Sequence, residues 1–200
     1  MCVYLNQNVL EAVARNALIR WNRNILNEKP AAMPIEEMME SSNLIIDYLY
    51  ITNNGRVLGK TIFDDGYTPY YDMDNHEYGL MPVRAGTVII DATLLEDNTG
   101  RLRFTLAHEF GHWLLHKSLY EGSGAAPANM KTEQDNIVER QADSIAAHLL
   151  MPKGLIKKAY FGICGQHKMA DEIVSELAYV FDVSRQAMQI RLKECGLGVS

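Results

Sequence analysis

The stretch His108-Glu109-Phe110-Gly111-His112 carries residue types and a spacing suited to one kind of chemistry. On a helix, residues four apart project from one face, because a turn takes about 3.6 residues. Both imidazoles then reach one metal ion, at about 2.0–2.1 Å if it is zinc. Glu109 follows the first ligand directly, so it stands beside the metal without binding it. That is where a carboxylate must be to take a proton from water activated there. With 6 histidines and 14 glutamates in 200 residues, composition alone would produce the pattern with a probability of about 0.01.

A catalytic zinc site takes three protein ligands and leaves a fourth place for water. Glu139 is the best third ligand, with 26 residues between it and His112, and Asp143 lies one helical turn further on. The spacing gives each carboxylate a task. Glu139 binds the metal, and Asp143 accepts the far ring N–H of a ligating histidine and fixes its tautomer. Like charges at i, i+4 cost a few tenths of a kcal/mol on a bare helix surface, roughly 0.2–0.5, so a cation between them is the better explanation.

Two helices must position these groups. Residues 103–117 form the first, with Phe104, Ala107, Gly111 and Leu114 as an apolar row and His108, His112 and His116 as a second row beside it. Gly111 costs helix propensity, about 1 kcal/mol against alanine, which predicts close approach by a neighbouring element. The second runs from Glu133 to Leu150, with Thr132 as its cap, Pro152 as its stop, and Val138, Ala142, Ile145 and Leu149 as its core stripe. Between them, Glu121 to Pro127 has the composition of a connector or a lid.

Upstream, residues 8–26 read as an amphipathic helix capped by Asn6 or Asn8, with Val9, Val13, Ala17, Trp21 and Ile25 facing the core. Pro34 starts a short helix through Met38. Leu44–Ile51, Arg56–Phe63 and Gly86–Asp91 read as strands, and Asn53-Asn54-Gly55 signals a hairpin between the first two. The expectation is a small antiparallel sheet of three or four strands packed on the histidine helix. The acidic run Asp72 to Glu77 lacks the glycine that a calcium loop needs at position 77, so it reads as a solvated loop. Residues 171–181 and 185–194 close the chain as a helical pair, with Ser184 capping the second.

The fold class expected is α+β. Residues 1–160 form the main domain, divided into a helical part (1–42), a sheet (43–100) and the metal-binding helices (101–152), and residues 170–196 form a C-terminal helical pair.

Composition narrows the function classes. Hydrophobic residues are 48% and charged residues 22%, ordinary for a globular domain. A net charge of −6 argues against broad, non-specific nucleic-acid binding. Three scattered cysteines (Cys2, Cys164, Cys195) form no disulfide framework and read as reduced thiols in a cytoplasmic protein. Neither a signal peptide nor a membrane-spanning run is visible. A protease without an export signal acts inside the cell and must be selective.

Arg103 to His112 with Leu114-Leu115-His116, and Glu139-Arg140-Gln141-Ala142-Asp143 running on to Ala146-Ala147-His148-Leu149-Leu150-Met151-Pro152, resemble the ImmA/IrrE metallopeptidases. The two blocks cover about a quarter of the chain and are highly specific together. The resemblance implies a zincin-like fold. It also implies a zinc (Zn2+) endopeptidase that cuts regulatory proteins, often helix-turn-helix repressors encoded nearby. It assigns the metal ligands to His108, His112 and Glu139 and the general base to Glu109. Family members often carry a helix-turn-helix-like segment after the active-site region, matching Leu177 to Leu192 here. Some have a C-terminal sensor domain, for which this chain is too short.

Other candidates rank lower. His116 stands a full turn beyond His112, and the extended HExxHxxGxxH pattern fails at Leu115 and Ser118, so His116 reads as a structural histidine. His148 and Tyr120 are weak candidates for stabilising an oxyanion. Arg185, Gln186, Gln189, Arg191 and Lys193 on the last helix would suit a DNA reader, but a stripe of Ala187, Ile190 and Glu194 points that helix towards the core. The resemblance implies a repressor-type protein substrate as the partner, and no membrane or direct nucleic-acid contact is expected. The rival to the enzyme is a non-catalytic module in which the metal only staples two helices and the protein grips a repressor or DNA. A closed structural site would want a fourth protein ligand, and no cysteine is near either helix. Since metal binding needs neutral histidines, affinity is expected to fall below about pH 6.

Overall fold

The computed structural model describes residues 4–97, 99–122, 133–164 and 169–198. The proposed Thr132 cap, and residues 123–127 of the connector or lid, lie outside them.

Helix α1 (Gln7–Trp21) begins at Asn6, whose side chain accepts the Val9 N–H at 3.1 Å. It ends earlier than the periodicity predicts. The Asn22 side chain accepts the Asn24 N–H at 2.9 Å, an Asx turn that competes with the helix, and Ile25 is buried in a separate 3-10 turn. The buried row is Leu10, Ala14 and Leu18, while Val9 is 41% exposed. The expected row Val9-Val13-Ala17-Trp21 is therefore one residue out of phase. Two adjacent apolar rows run along α1, about 100° apart, and only tertiary packing chooses between them. Helix α2 (Ile35–Ser41) follows Pro34 and runs three residues past the expected end.

The sheet differs from expectation. Strands β1 (Ile45–Leu49) and β2 (Gly59–Thr61) do not pair with each other. Two hairpin strands come between β2 and the third member, β5 (Thr87–Asp91), which inserts between β1 and β2. It runs parallel to β1, from Ile45↔Thr87 to Leu49↔Asp91, and antiparallel to β2, from Gly59↔Ile90 to Thr61↔Val88. The sheet is mixed, and the Asn53-Asn54-Gly55 turn makes no hairpin. The physical reason is burial. All five β5 residues are buried, so the run Val88-Ile89-Ile90 belongs to a strand covered on both faces and paired on both edges.

The two strands that sequence patterning passes over are β3 (Gly66–Asp72) and β4 (Glu77–Val83), an antiparallel hairpin in a second sheet. Pro69 and Pro82 disguise them, since proline is confined to strand edges. The acidic run is the exposed turn of this hairpin: Asp72 Oδ1 accepts the N–H groups of Asp74 and Asn75, and His76 sits at φ +56°.

A short helix α3 (Leu94–Asp97) leads to the 22-residue α4 (Thr99–Tyr120), which packs on β2 and β5 and crosses α5 (Glu133–Leu150). The crossing explains Gly111. A Cβ there would lie 3.1 Å from the Ala142 carbonyl oxygen and 3.2 Å from Ala142 Cα, so glycine lets the two backbones approach. The predicted α5 stripe of Val138, Ala142, Ile145 and Leu149 is fully buried.

Helix α6 (Lys153–Cys164) occupies a stretch assigned no element by sequence. Pro152, expected as the stop of α5, also opens α6 by accepting the Ile156 N–H. Helices α7 (Ala170–Phe181) and α8 (Arg185–Glu194) form the closing pair, with Asp182 left-handed at the turn and Ser184 capping Ala187 N at 3.1 Å. Their buried Leu177, Phe181, Met188 and Leu192 belong to one core cluster with Leu106, Phe110 and Leu149.

The expected core stripe of α8 is corrected. Ile190 is 52% exposed, and the buried residues are Met188, Arg191 and Leu192. Arg191 tolerates burial because its guanidinium donates to the Met151 carbonyl at 3.0 Å, meets His148 Nδ1 at 2.8 Å and pairs with Glu194 at 3.0 Å. It is not free to read DNA. No helix among the described residues is long and apolar enough to cross a membrane.

Candidate metal centre

Helices α4 and α5 bring three donor atoms together. The Nε2 atoms of His108 and His112 are 3.0 Å apart. Glu139 places Oε2 at 3.3 Å from His108 Nε2 and Oε1 at 3.5 Å from His112 Nε2. Four ligands around zinc at about 2.0–2.1 Å define a tetrahedron with an edge of about 3.3 Å. The two imidazole nitrogens, and each nitrogen with the carboxylate oxygen nearest it, stand at separations close to that edge. Two imidazoles and a carboxylate are also a donor set that zinc accepts well. His112 is buried, His108 mostly so, while the Glu139 side chain is 56% exposed and forms the solvent side. These three residues form the group among the described residues that can hold a metal ion.

Asp143 is where the helical spacing puts it. Its Oδ1 is 2.9 Å from His108 Nδ1, so it can accept that ring N–H while Nε2 faces Glu139 and His112. Burial alone would lower the His108 pKa. The hydrogen bonds to Asp143 and Glu139, and the charges of Glu109 and Asp143, outweigh it and raise the value to about 10. His112 is driven the opposite way by burial and then by the charge on His108. Without a metal, one proton on His108 serves as the cation of the cluster.

Glu109 is 6% exposed. Burial raises its carboxyl to about 7, against the pull of the His108 charge and of a hydrogen bond from Thr61. A group titrating near neutrality is suited to proton transfer in both directions. Two residues on β2 hold it, and neither was singled out from sequence. The Thr61 hydroxyl lies 2.8 Å from Glu109 Oε2 and 3.0 Å from the Glu109 carbonyl oxygen. Gly59 leaves room for the carboxylate: a Cβ there would stand 2.5 Å from Oε1 and 2.7 Å from Cγ. The available signal was a glycine inside a strand, which marks close approach by another group.

The lower-ranked candidates fall outside the donor cluster. His116 is 1% exposed, with Nδ1 at 3.1 Å from His112 Nδ1 and Nε2 at 3.0 Å from Gln141 Oε1. His148 is buried between Arg191 and Gln7, a packing role. Tyr120 stacks on Phe63 with ring centroids 5.2 Å apart. Strand β5 is central in the three-stranded sheet, and the edge strand of that sheet lying beside Glu109 is β2.

No curated protein matches the chain at a significant level. A family model described as Peptidase_M78, IrrE N-terminal-like domain, matches residues 63–193, about two thirds of the chain. The match takes in both helices that carry the candidate donors and nearly all of the closing helical pair, and stops short of β2. With that length of match and the donor cluster inside it, the chain belongs to the IrrE N-terminal-like family of peptidases, with the α+β, zincin-like fold this implies.

Proposed function

We propose that this protein is a zinc-dependent endopeptidase that hydrolyses a peptide bond in an intracellular regulatory protein, a helix-turn-helix repressor by the resemblance noted above. The observation that carries the reading is the convergence of His108, His112 and Glu139 on one point, with the buried Glu109 carboxylate on the adjoining residue of the same helix. Family membership supports the peptide-bond chemistry.

In this reading His108, His112 and Glu139 hold the zinc, and Asp143 keeps His108 in the tautomer that presents Nε2. Zinc, when bound, supplies a Lewis acid that brings the pKa of water to about 7 and polarises a carbonyl. Glu109 takes the proton of the attacking water and delivers it to the leaving amine, which contributes roughly 10²–10⁴ in rate. Thr61 and Gly59 hold the Glu109 carboxylate in place. The free edge of β2 is suited to take the substrate as an added strand, paired through its main chain. A cytoplasmic setting fits Cys195, a buried free thiol.

Wild type and Glu109→Gln, each incubated with the product of any adjacent repressor-like gene, test the proposal. Wild type is expected to cut it, while the variant keeps zinc and does not. If both bind the partner and neither cuts, the protein is a metal-stapled binding module instead.

A further inference from the structure

We propose that His116 and Gln141 form a buried relay that fixes the tautomer of His112 and thereby sets how tightly the site holds its metal. The inference rests on reading His108, His112 and Glu139 as the metal-holding group.

A neutral imidazole carries one N–H and one lone pair. His112 turns Nε2 to the donor cluster, 3.0 Å from His108 Nε2 and 3.5 Å from Glu139 Oε1. For that atom to hold a cation, the proton of His112 must sit on Nδ1. The group facing Nδ1 is not a carboxylate or a carbonyl but Nδ1 of His116, at 3.1 Å. His116 Nδ1 must then accept, which places its own proton on Nε2. That atom lies 3.0 Å from Gln141 Oε1, an acceptor. The chain therefore has one direction: His112 donates to His116, and His116 donates to Gln141.

The opposite direction disables the site. If His116 carried its proton on Nδ1, or carried two protons, it would donate to His112. His112 would then hold its proton on Nε2, the atom the metal needs. This explains the choice of Gln141, a neutral amide that is 4% exposed, beside a histidine that is 1% exposed. The Gln141 side-chain oxygen accepts from Nε2 and so keeps the single His116 proton off Nδ1. His108 needs no such restraint, since its Nδ1 faces only the acceptor Asp143. The helix α5 thus supplies a metal donor (Glu139) and the ends of both tautomer-fixing chains (Gln141 and Asp143) within five residues.

The experiment measures zinc affinity by competition with a chromophoric chelator in the full chain. The oxygen of asparagine stands close to the position of a histidine Nδ1, whereas the amide of glutamine reaches towards Nε2. His116→Asn keeps the acceptor for His112 and should bind zinc within about threefold of wild type. His116→Gln and Gln141→Leu should weaken binding about 10- to 100-fold, the usual range for groups that orient a metal ligand. Wild type gives an independent readout that needs no variant to fold. Long-range proton–nitrogen correlation spectra of the zinc-loaded protein should show His116 protonated at Nε2 alone. A proton on His116 Nδ1 overturns the relay, as does equal weakening by His116→Asn and His116→Gln, or no weakening by His116→Gln and Gln141→Leu. Failure of the wild-type chain to bind zinc at all overturns the metal reading itself, a different result.

Discussion

Gly59→Ala tests whether β2 holds the proposed general base, because the new Cβ meets Glu109 and not the candidate metal donors. The added Cβ would lie 2.7 Å from Glu109 Cγ and 2.5 Å from Oε1. Carbon atoms settle at about 3.5 Å or more, so the Glu109 side chain must retreat by about 0.8 Å. Its 2.8 Å contact with the Thr61 hydroxyl then lengthens to about 3.6 Å, beyond hydrogen-bonding range. A misplacement of about 1 Å at a reacting group costs on the order of 100-fold in rate, or about 2.7 kcal/mol on the barrier. The backbone at Gly59 is not in the left-handed region, so alanine suits the local backbone, and the roughly 0.4–1 kcal/mol it gains from reduced unfolded-state freedom partly offsets the clash with Glu109. The expected signature is a separation of effects. In the cleavage assay kcat falls about 100-fold and zinc stoichiometry stays at the wild-type value, while the urea midpoint falls only slightly, since a lost buried hydrogen bond costs about 0.5–1.5 kcal/mol. Activity within threefold of wild type would refute the argument that β2 positions Glu109. Loss of zinc along with activity would show that the clash spreads into the ligand set.

Asp143→Ala should weaken zinc binding about 10- to 100-fold in chelator competition, since His108 loses the acceptor on its far nitrogen; unchanged affinity would remove Asp143 from the site. With the folded-state pKa of His108 raised to about 10, the metal-free protein carries that proton throughout neutral pH, and zinc must displace it. Apparent affinity should therefore rise about tenfold per unit from pH 7 to 9, a window above the one expected from an ordinary imidazole. Calorimetry at pH 7.5 in buffers of different ionisation enthalpy should show release of at least about one proton, and a buffer-independent heat would contradict this. Arg191→Met should cost about 2–4 kcal/mol in urea unfolding, because it strands the buried His148 Nδ1 and Met151 carbonyl. A loss below about 1 kcal/mol would mean the closing helix does not depend on that clasp.

The cluster that could hold a metal is legible because each part of it is local. His108 and His112 share a helical face at i, i+4, and so do Glu139 and Asp143, so two short windows contain the whole donor set. What was not legible depends on which distant segments compete for one place. Asn53-Asn54-Gly55 is a sound turn signal, yet β5 displaces the expected pairing because it buries all five of its residues between β1 and β2. Pro69 and Pro82 concealed a hairpin of two seven-residue strands that tolerate them. On α1 two apolar rows lay side by side, and the phase was settled by packing against the rest of the core. Gly59 and Thr61 could not be tied to Glu109, since nothing local says that β2 lies on that face of α4.

X-ray absorption at the zinc edge of the zinc-loaded chain tests the central claim most directly. The account predicts one zinc per chain with nitrogen and oxygen donors at about 2.0–2.1 Å, two of them imidazole, and one imidazole fewer in His112→Ala. A sulfur shell at about 2.3 Å, or an unchanged spectrum in His112→Ala, would place the metal elsewhere and contradict it.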